Sequence, residues 1–128
     1  MEIAVLCAGL LGLLVFGLGF AVSGQRSRSQ LLHGASPDPA DPTYRLIRAH
    51  GNATEYAPML AVLILFLGTQ GPSSWVLWVM GIATAARYLH AAGMLLGPGL
   101  DQVQPLRFVG ALGTYLGGLA LCLAVFMS

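Results

Sequence analysis

The chain has 128 residues, of which 56% are hydrophobic and only 9% charged, with a formal net charge of +1 and a mean hydropathy of +0.76. That composition excludes an ordinary water-soluble domain and identifies an integral membrane protein. So small a charge gives no reason to expect a nucleic-acid partner.

Four apolar stretches follow one another: Ile3 to Ser23, Ala57 to Gly68 with a polar extension back to Thr43, Ser74 to Leu96, and Val103 to Met127. A spanning helix needs about 20 residues, so the second qualifies only if its polar half is helical too. The reading is an all-α membrane protein, a four-helix up-down bundle forming one domain over residues 1–128. Glu2 stands where a secretory signal would carry basic residues, and the apolar run after it is too long for one, so the first stretch is expected to remain as a helix. The first loop, Gln25 to Pro42, is rich in turn residues, and Asp41-Pro42-Thr43 is a helix start. Gly71-Pro72 and Gly97-Pro98-Gly99 are helix breaks. The small-xxx-small patterns Gly113 to Gly117 and Gly19 to Ser23 are packing seams. Cys7 and Cys122 lie in apolar helix and read as buried thiols. Asn52-Ala-Thr54 matches a glycosylation signal only by chance, since it lies inside a helix.

Arginine placement sets the expected orientation. Arg26, Arg28, Arg45 and Arg48 flank the first loop and Arg107 follows the third, whereas the second loop is uncharged. Loops one and three are therefore expected in the cytoplasm, with both termini outside. All six basic residues are arginine. Arginine's planar fork suits an anionic ligand, although a GC-rich genome favours it as well.

The second helix carries Arg45, Arg48, Asn52 and Glu55 at membrane depth, where ionisable groups are costly unless they serve something. Counting outward from the turn between Gly68 and Ser74 places Glu55 level with Arg87, and Asn52 level with His90. Glu55 and Arg87 are thus expected to form an ion pair. The remaining arginines make the cluster positive, which suits a ligand with several negative groups, such as an acidic peptide. Pro58, one turn beyond Glu55, is expected to kink the helix beside this level. The three histidines lack metal-ligand spacing, so no metal site is expected; phosphate loop, nucleophile elbow and Cys-x-x-Cys are missing too. A catalytic site here would take its nucleophile from a cosubstrate.

Arg48-Ala-His-Gly-Asn-Ala-Thr-Glu-Tyr-Ala-Pro58, followed by Arg87-Tyr-Leu-His-Ala-Ala-Gly93, resembles the MAPEG family, the membrane-associated proteins of eicosanoid and glutathione metabolism, and most of all its short bacterial members. The resemblance implies a homotrimer in a bacterial inner membrane, with glutathione as cosubstrate bound at each subunit interface and lipophilic electrophiles or hydroperoxides arriving from the bilayer. Position by position, it implies glutathione-binding roles for Arg48, Asn52 and Glu55 on helix two and Arg87 and His90 on helix three. Arg107 matches the arginine that stabilises the thiolate. Arg26 joins the binding set, and Tyr115, two turns beyond Arg107, supplies a hydroxyl. Gly51 and Met94 depart from relatives that carry an arginine and an aromatic hydroxyl there. The expected activity is that of a glutathione transferase or peroxidase; the alternative is a non-catalytic membrane protein that binds a lipid headgroup or another anion.

Overall fold

The computed structural model describes residues 1–30 and 32–128. Its described residues form four helices: α1 (Glu2–Ser29), α2 (Pro42–Thr69), α3 (Ser74–Leu95) and α4 (Pro105–Met127). Local chemistry explains each boundary. Asp41 caps α2, its Oδ1 accepting from Thr43 N at 2.7 Å and Tyr44 N at 3.4 Å, while Pro42 occupies a first-turn position that needs no N–H donor. Gly71 (φ +65°) and Gly97 (φ +87°) adopt left-handed backbone just beyond α2 and α3, which glycine does without a Cβ penalty. The Gln104 side chain accepts from Leu106 N to open α4, again with proline in the first turn.

One boundary differs from the sequence reading, and the condition set for the second helix is met. α1 continues past Ser23 to Ser29, because a helix need not end where its apolar residues do; its last turn carries Arg26 and Arg28, which complement the dipole. α2 is helical throughout its polar half, and Pro58 sits on its exposed face within an unbroken helix.

Three helices, α1, α2 and α4, are long and apolar enough to cross a membrane. α3, with 22 residues, is about 33 Å long by its rise per residue. Arg87 and His90 lower its apolar content, so length and composition alone carry three of the four expected spans.

α1 packs on α2 and α3, α3 on α4, and α2 on both α3 and α4, whereas α1 and α4 share no contact among the described residues. Near the uncharged second loop the core is apolar, built from Leu11, Leu60, Ile64, Met80 and Leu121. A second cluster near loops one and three holds Leu14, Leu18, Ala49, Ala53, Ala91 and Met94. The α3–α4 seam is closed by glycines. A Cβ at Gly93 would strike the backbone of Arg107, one at Gly110 the backbone of His90, and one at Gly117 would lie 2.9 Å from the Ala83 Cβ. The expected Gly113–Gly117 seam is thus present, and it extends to Gly110. Phe16, Phe20, Trp78 and Phe126 point outward, each more than 70% exposed, as lipid-facing residues do.

Candidate ligand-binding site

Between the two apolar clusters lies a polar belt centred on Arg87, whose side chain is only 1% exposed. Arg87 Nη1 donates to Thr114 Oγ1 of α4 at 3.2 Å, and Nη2 donates to Asn52 Oδ1 of α2. Its guanidinium carbon stands 5.2 Å from the centre of the Tyr56 ring, within cation–π range. The Thr114 hydroxyl in turn donates a hydrogen bond to the Gly110 carbonyl at 2.7 Å. Tyr56 and Tyr115 share a hydroxyl–hydroxyl bond of 3.2 Å, their rings edge to face at 5.7 Å. One buried cation thus ties three helices together through neutral partners, and its Nε remains buried without a partner.

The expected Glu55–Arg87 ion pair is not formed. Arg87 bonds to Asn52 and Thr114, while the Glu55 side chain is exposed. Depth counting placed Arg87 within a turn of the correct level, but it gives height and not rotation. Asn52 and Tyr56, four residues apart, share the face that meets Arg87; Glu55 is about 100° round the helix from Tyr56 and faces outward. Tyr56 and Thr114 were missing from the sequence-derived set. The Asn52–Tyr56 spacing was a usable signal for the first, whereas nothing marked the second.

Two surface grooves border the belt. One, of about 570 Å³ between α2 and α4, is lined by Glu55, Tyr56 and Tyr115 at its polar end and by Met59, Leu63 and Leu119 elsewhere, with Cys122 also in its wall. The other, of about 380 Å³, is lined by His90, Gln104, Arg107, Phe108 and neighbours. Arg107, Ala111, Tyr115, Gly118 and Cys122 fall at helical spacing on one face of α4, so the grooves lie end to end along that helix. Of the predicted site residues, Asn52, Glu55, Arg87, His90, Arg107 and Tyr115 therefore belong to one continuous belt and strip. Arg48 is exposed on α2 and lines neither groove, and Arg26, at the end of α1, donates from Nη1 to the Gly34 carbonyl at 2.8 Å.

The cations at the loop end do structural work as well. Arg107 donates through Nη1 to Leu100 O at 3.0 Å and through Nη2 to Gln102 O at 3.1 Å. Its Nε and the second hydrogen of each Nη are left for other acceptors. Arg45, expected in the ligand-facing cluster, is instead 8% exposed and donates to the carbonyls of Met94 (2.9 Å), Gly97 (2.8 Å) and Leu96. It caps the C-terminus of α3, where a cation and free carbonyls suit each other. Leu100 N donates to Pro39 O at 3.0 Å, so the first and third loops are joined directly.

Over 48 residues the chain is 44% identical to the inner membrane protein YecN of Escherichia coli strain K12, a match covering 37% of this chain and 37% of that protein. YecN of Escherichia coli O6:H1 strain CFT073 matches over the same span with the same identity. These relatives are thus aligned over little more than a third of their length. A match to the MAPEG family runs over residues 4–127, through all four helices, the polar belt and both grooves. This integral membrane protein belongs to the MAPEG family.

Proposed function

We propose that the protein is a membrane-bound glutathione transferase or peroxidase, working as a homotrimer in a bacterial inner membrane. The observation that carries this reading is the graded strip along α4. At the loop end it offers Arg107 and His90; next come the Tyr56–Tyr115 hydroxyls and the Glu55 carboxylate; beyond them the wall is apolar. A peptide with two carboxylates, an amine and a thiol fits the polar part, with Glu55 available to the amine and the arginines to the anions. A lipophilic electrophile or hydroperoxide fits the apolar part and enters from the bilayer. The reaction belongs where the two meet.

Arg107 supports a thiolate by placing a cation in a low-dielectric groove. A cation within about 4 to 6 Å of a thiol of pKa about 8.5 lowers it by roughly 1 to 3 units, which turns a mostly protonated sulfur into a nucleophile at neutral pH. Asn52, Arg87 and Thr114 form the rigid wall behind the polar part. Glu55 is exposed, and a carboxylate at membrane depth cannot face lipid cheaply, which favours a trimer in which a neighbouring protomer covers it. The match to inner membrane proteins supports the location.

Equilibrium binding of glutathione to the purified protein, followed by ultraviolet thiolate absorbance against pH, tests the reading. Arg107→Ala should move the bound-thiol titration up by about 1 to 3 pH units and lower turnover more than binding. Asn52→Ala should chiefly raise the half-saturating glutathione concentration. The second reading, a non-catalytic binder of lipid headgroups or other anions, draws on Arg107, whose Nε and second Nη hydrogens are left for other acceptors beside the groove, Arg45 being buried against the carbonyls that close α3. It predicts that phosphate and sulfate displace glutathione as well as glutathione displaces itself, and that no thiolate forms.

A further inference from the structure

We infer that the groove between α2 and α4 binds an uncharged single-chain lipid by one oxygen at its head, a long-chain ketone or enone, seated on the Tyr56–Tyr115 pair. The site deepens the transferase reading above by naming the class of its lipophilic substrate, but the observations that carry it lie in the groove itself. The two hydroxyls, 3.2 Å apart, hold two hydrogens, and the bond between them uses one. The other needs an acceptor elsewhere. Arg87 stands over the Tyr56 ring, and a nearby cation strengthens a phenol as a donor. Tyr56 therefore donates within the pair, and the Tyr115 hydrogen is left for the groove, which Tyr115 lines with 51% of its surface exposed. Thr114, the other hydroxyl in the wall, already donates to the Gly110 carbonyl. Tyr115 lies about 15 Å along α4 from Pro105, near the middle of a hydrocarbon core roughly 30 Å thick. A donor left over at that depth costs free energy until an acceptor arrives.

The rest of the groove defines what brings that acceptor. Beyond the pair the wall is Met59, Leu63 and Leu119, running on to Cys122 two turns past Tyr115, and the volume of about 570 Å³ suits a small apolar molecule. Glu55 is the only charged side chain among the described residues that line it, and it stands at the same end as the hydroxyls. A carboxylate or phosphate head would meet a like charge there in a medium of low dielectric, so the head is neutral. The ester carbonyls of a phospholipid are tied to a charged headgroup at the bilayer surface, whereas a single-chain ketone can sink to the level of Tyr115.

Carbonyl spectroscopy provides the test. Methyl octyl ketone, isotope-labelled at its carbonyl carbon, is titrated without glutathione into the purified full chain in maltoside detergent, and its carbonyl stretch is followed in the infrared. The wild type should give a saturable band, one ketone per chain, at lower frequency than the ketone shows in detergent alone. Tyr115→Phe, which removes the hydroxyl and keeps the ring, should lose that band and weaken binding about tenfold. Decanoate, a carboxylate of the same carbon count, should displace the ketone from the wild type at least about tenfold less well than unlabelled ketone does, and Glu55→Gln should narrow that gap. An equal band in wild type and Tyr115→Phe overturns the inference, as does decanoate that competes as well as the ketone. Either failure leaves the transferase reading standing, because no thiol takes part. A wild type that binds the ketone but forms no glutathione thiolate upholds this site and overturns that reading.

Discussion

Arg87 gains no ion pair in return for its desolvation, since its hydrogen-bond partners are the neutral Asn52 and Thr114. A buried cation held in this way is worth little to stability, and an apolar residue of similar volume often replaces such a group without loss. Arg87→Met is therefore expected to leave thermal stability within about 1 kcal/mol of the wild type while abolishing ligand binding. Asn52→Ala should cost about 1 to 2 kcal/mol, because it leaves the cation short of an acceptor. The double variant should recover that loss; simple additivity in a thermal-stability cycle would show that the two side chains do not interact. Arg45 is the opposite case, a fork satisfied by three carbonyls at a helix end. Arg45→Met should destabilise by about 3 kcal/mol or more, and Arg45→Lys should restore only part, since an ammonium lacks the planar fork.

Helix α3 depends on its neighbour more than on its own hydrophobicity, and the glycine seam against α4 is where that dependence lies. Gly110→Val would place side-chain atoms where the His90 backbone runs, which forces the helices apart. The expected result is loss of cooperative unfolding by tryptophan fluorescence, with helix content by circular dichroism retained. Much at this scale was legible in the sequence. Asp41-Pro42, Gly71-Pro72 and Gly97-Pro98 marked breaks because cap and turn chemistry is local, and Gly113-x-x-x-Gly117 marked a seam. Pairings across helices were less legible. Glu55 was read at the right depth and the wrong azimuth, because loop counting carries no rotational information. The Arg45 clamp left no trace, since its acceptors are backbone carbonyls and any residue offers one.

For the whole molecule, charge and packing suggest different experiments. The arginine asymmetry predicts both termini outside the cytoplasm, so a reporter active only in the cytoplasm and fused after Ser128 should stay silent. Native mass spectrometry in mild detergent should find three copies of the chain, and a stable monomer or dimer would contradict the proposed trimer. The absence of contact between α1 and α4 has a consequence for assembly. The bundle is two helical hairpins, α1–α2 and α3–α4, joined by the short, uncharged loop after Thr69, by the faces that α2 turns toward α3 and α4, and by the packing of α1 on α3, where the Tyr88 hydroxyl donates to the Leu10 carbonyl at 2.7 Å. The α3–α4 hairpin carries its glycine seam, in the α1–α2 hairpin a Cβ at Gly68 would lie 2.6 Å from the Ala4 Cβ, and the belt of Asn52, Arg87 and Thr114 forms only when the two meet. A gene cut between Gln70 and Ser73 should therefore yield two fragments that insert separately and reassemble in the bilayer, restoring the proposed glutathione binding without a covalent link. The polar belt would then act as the register mark by which one half finds the other.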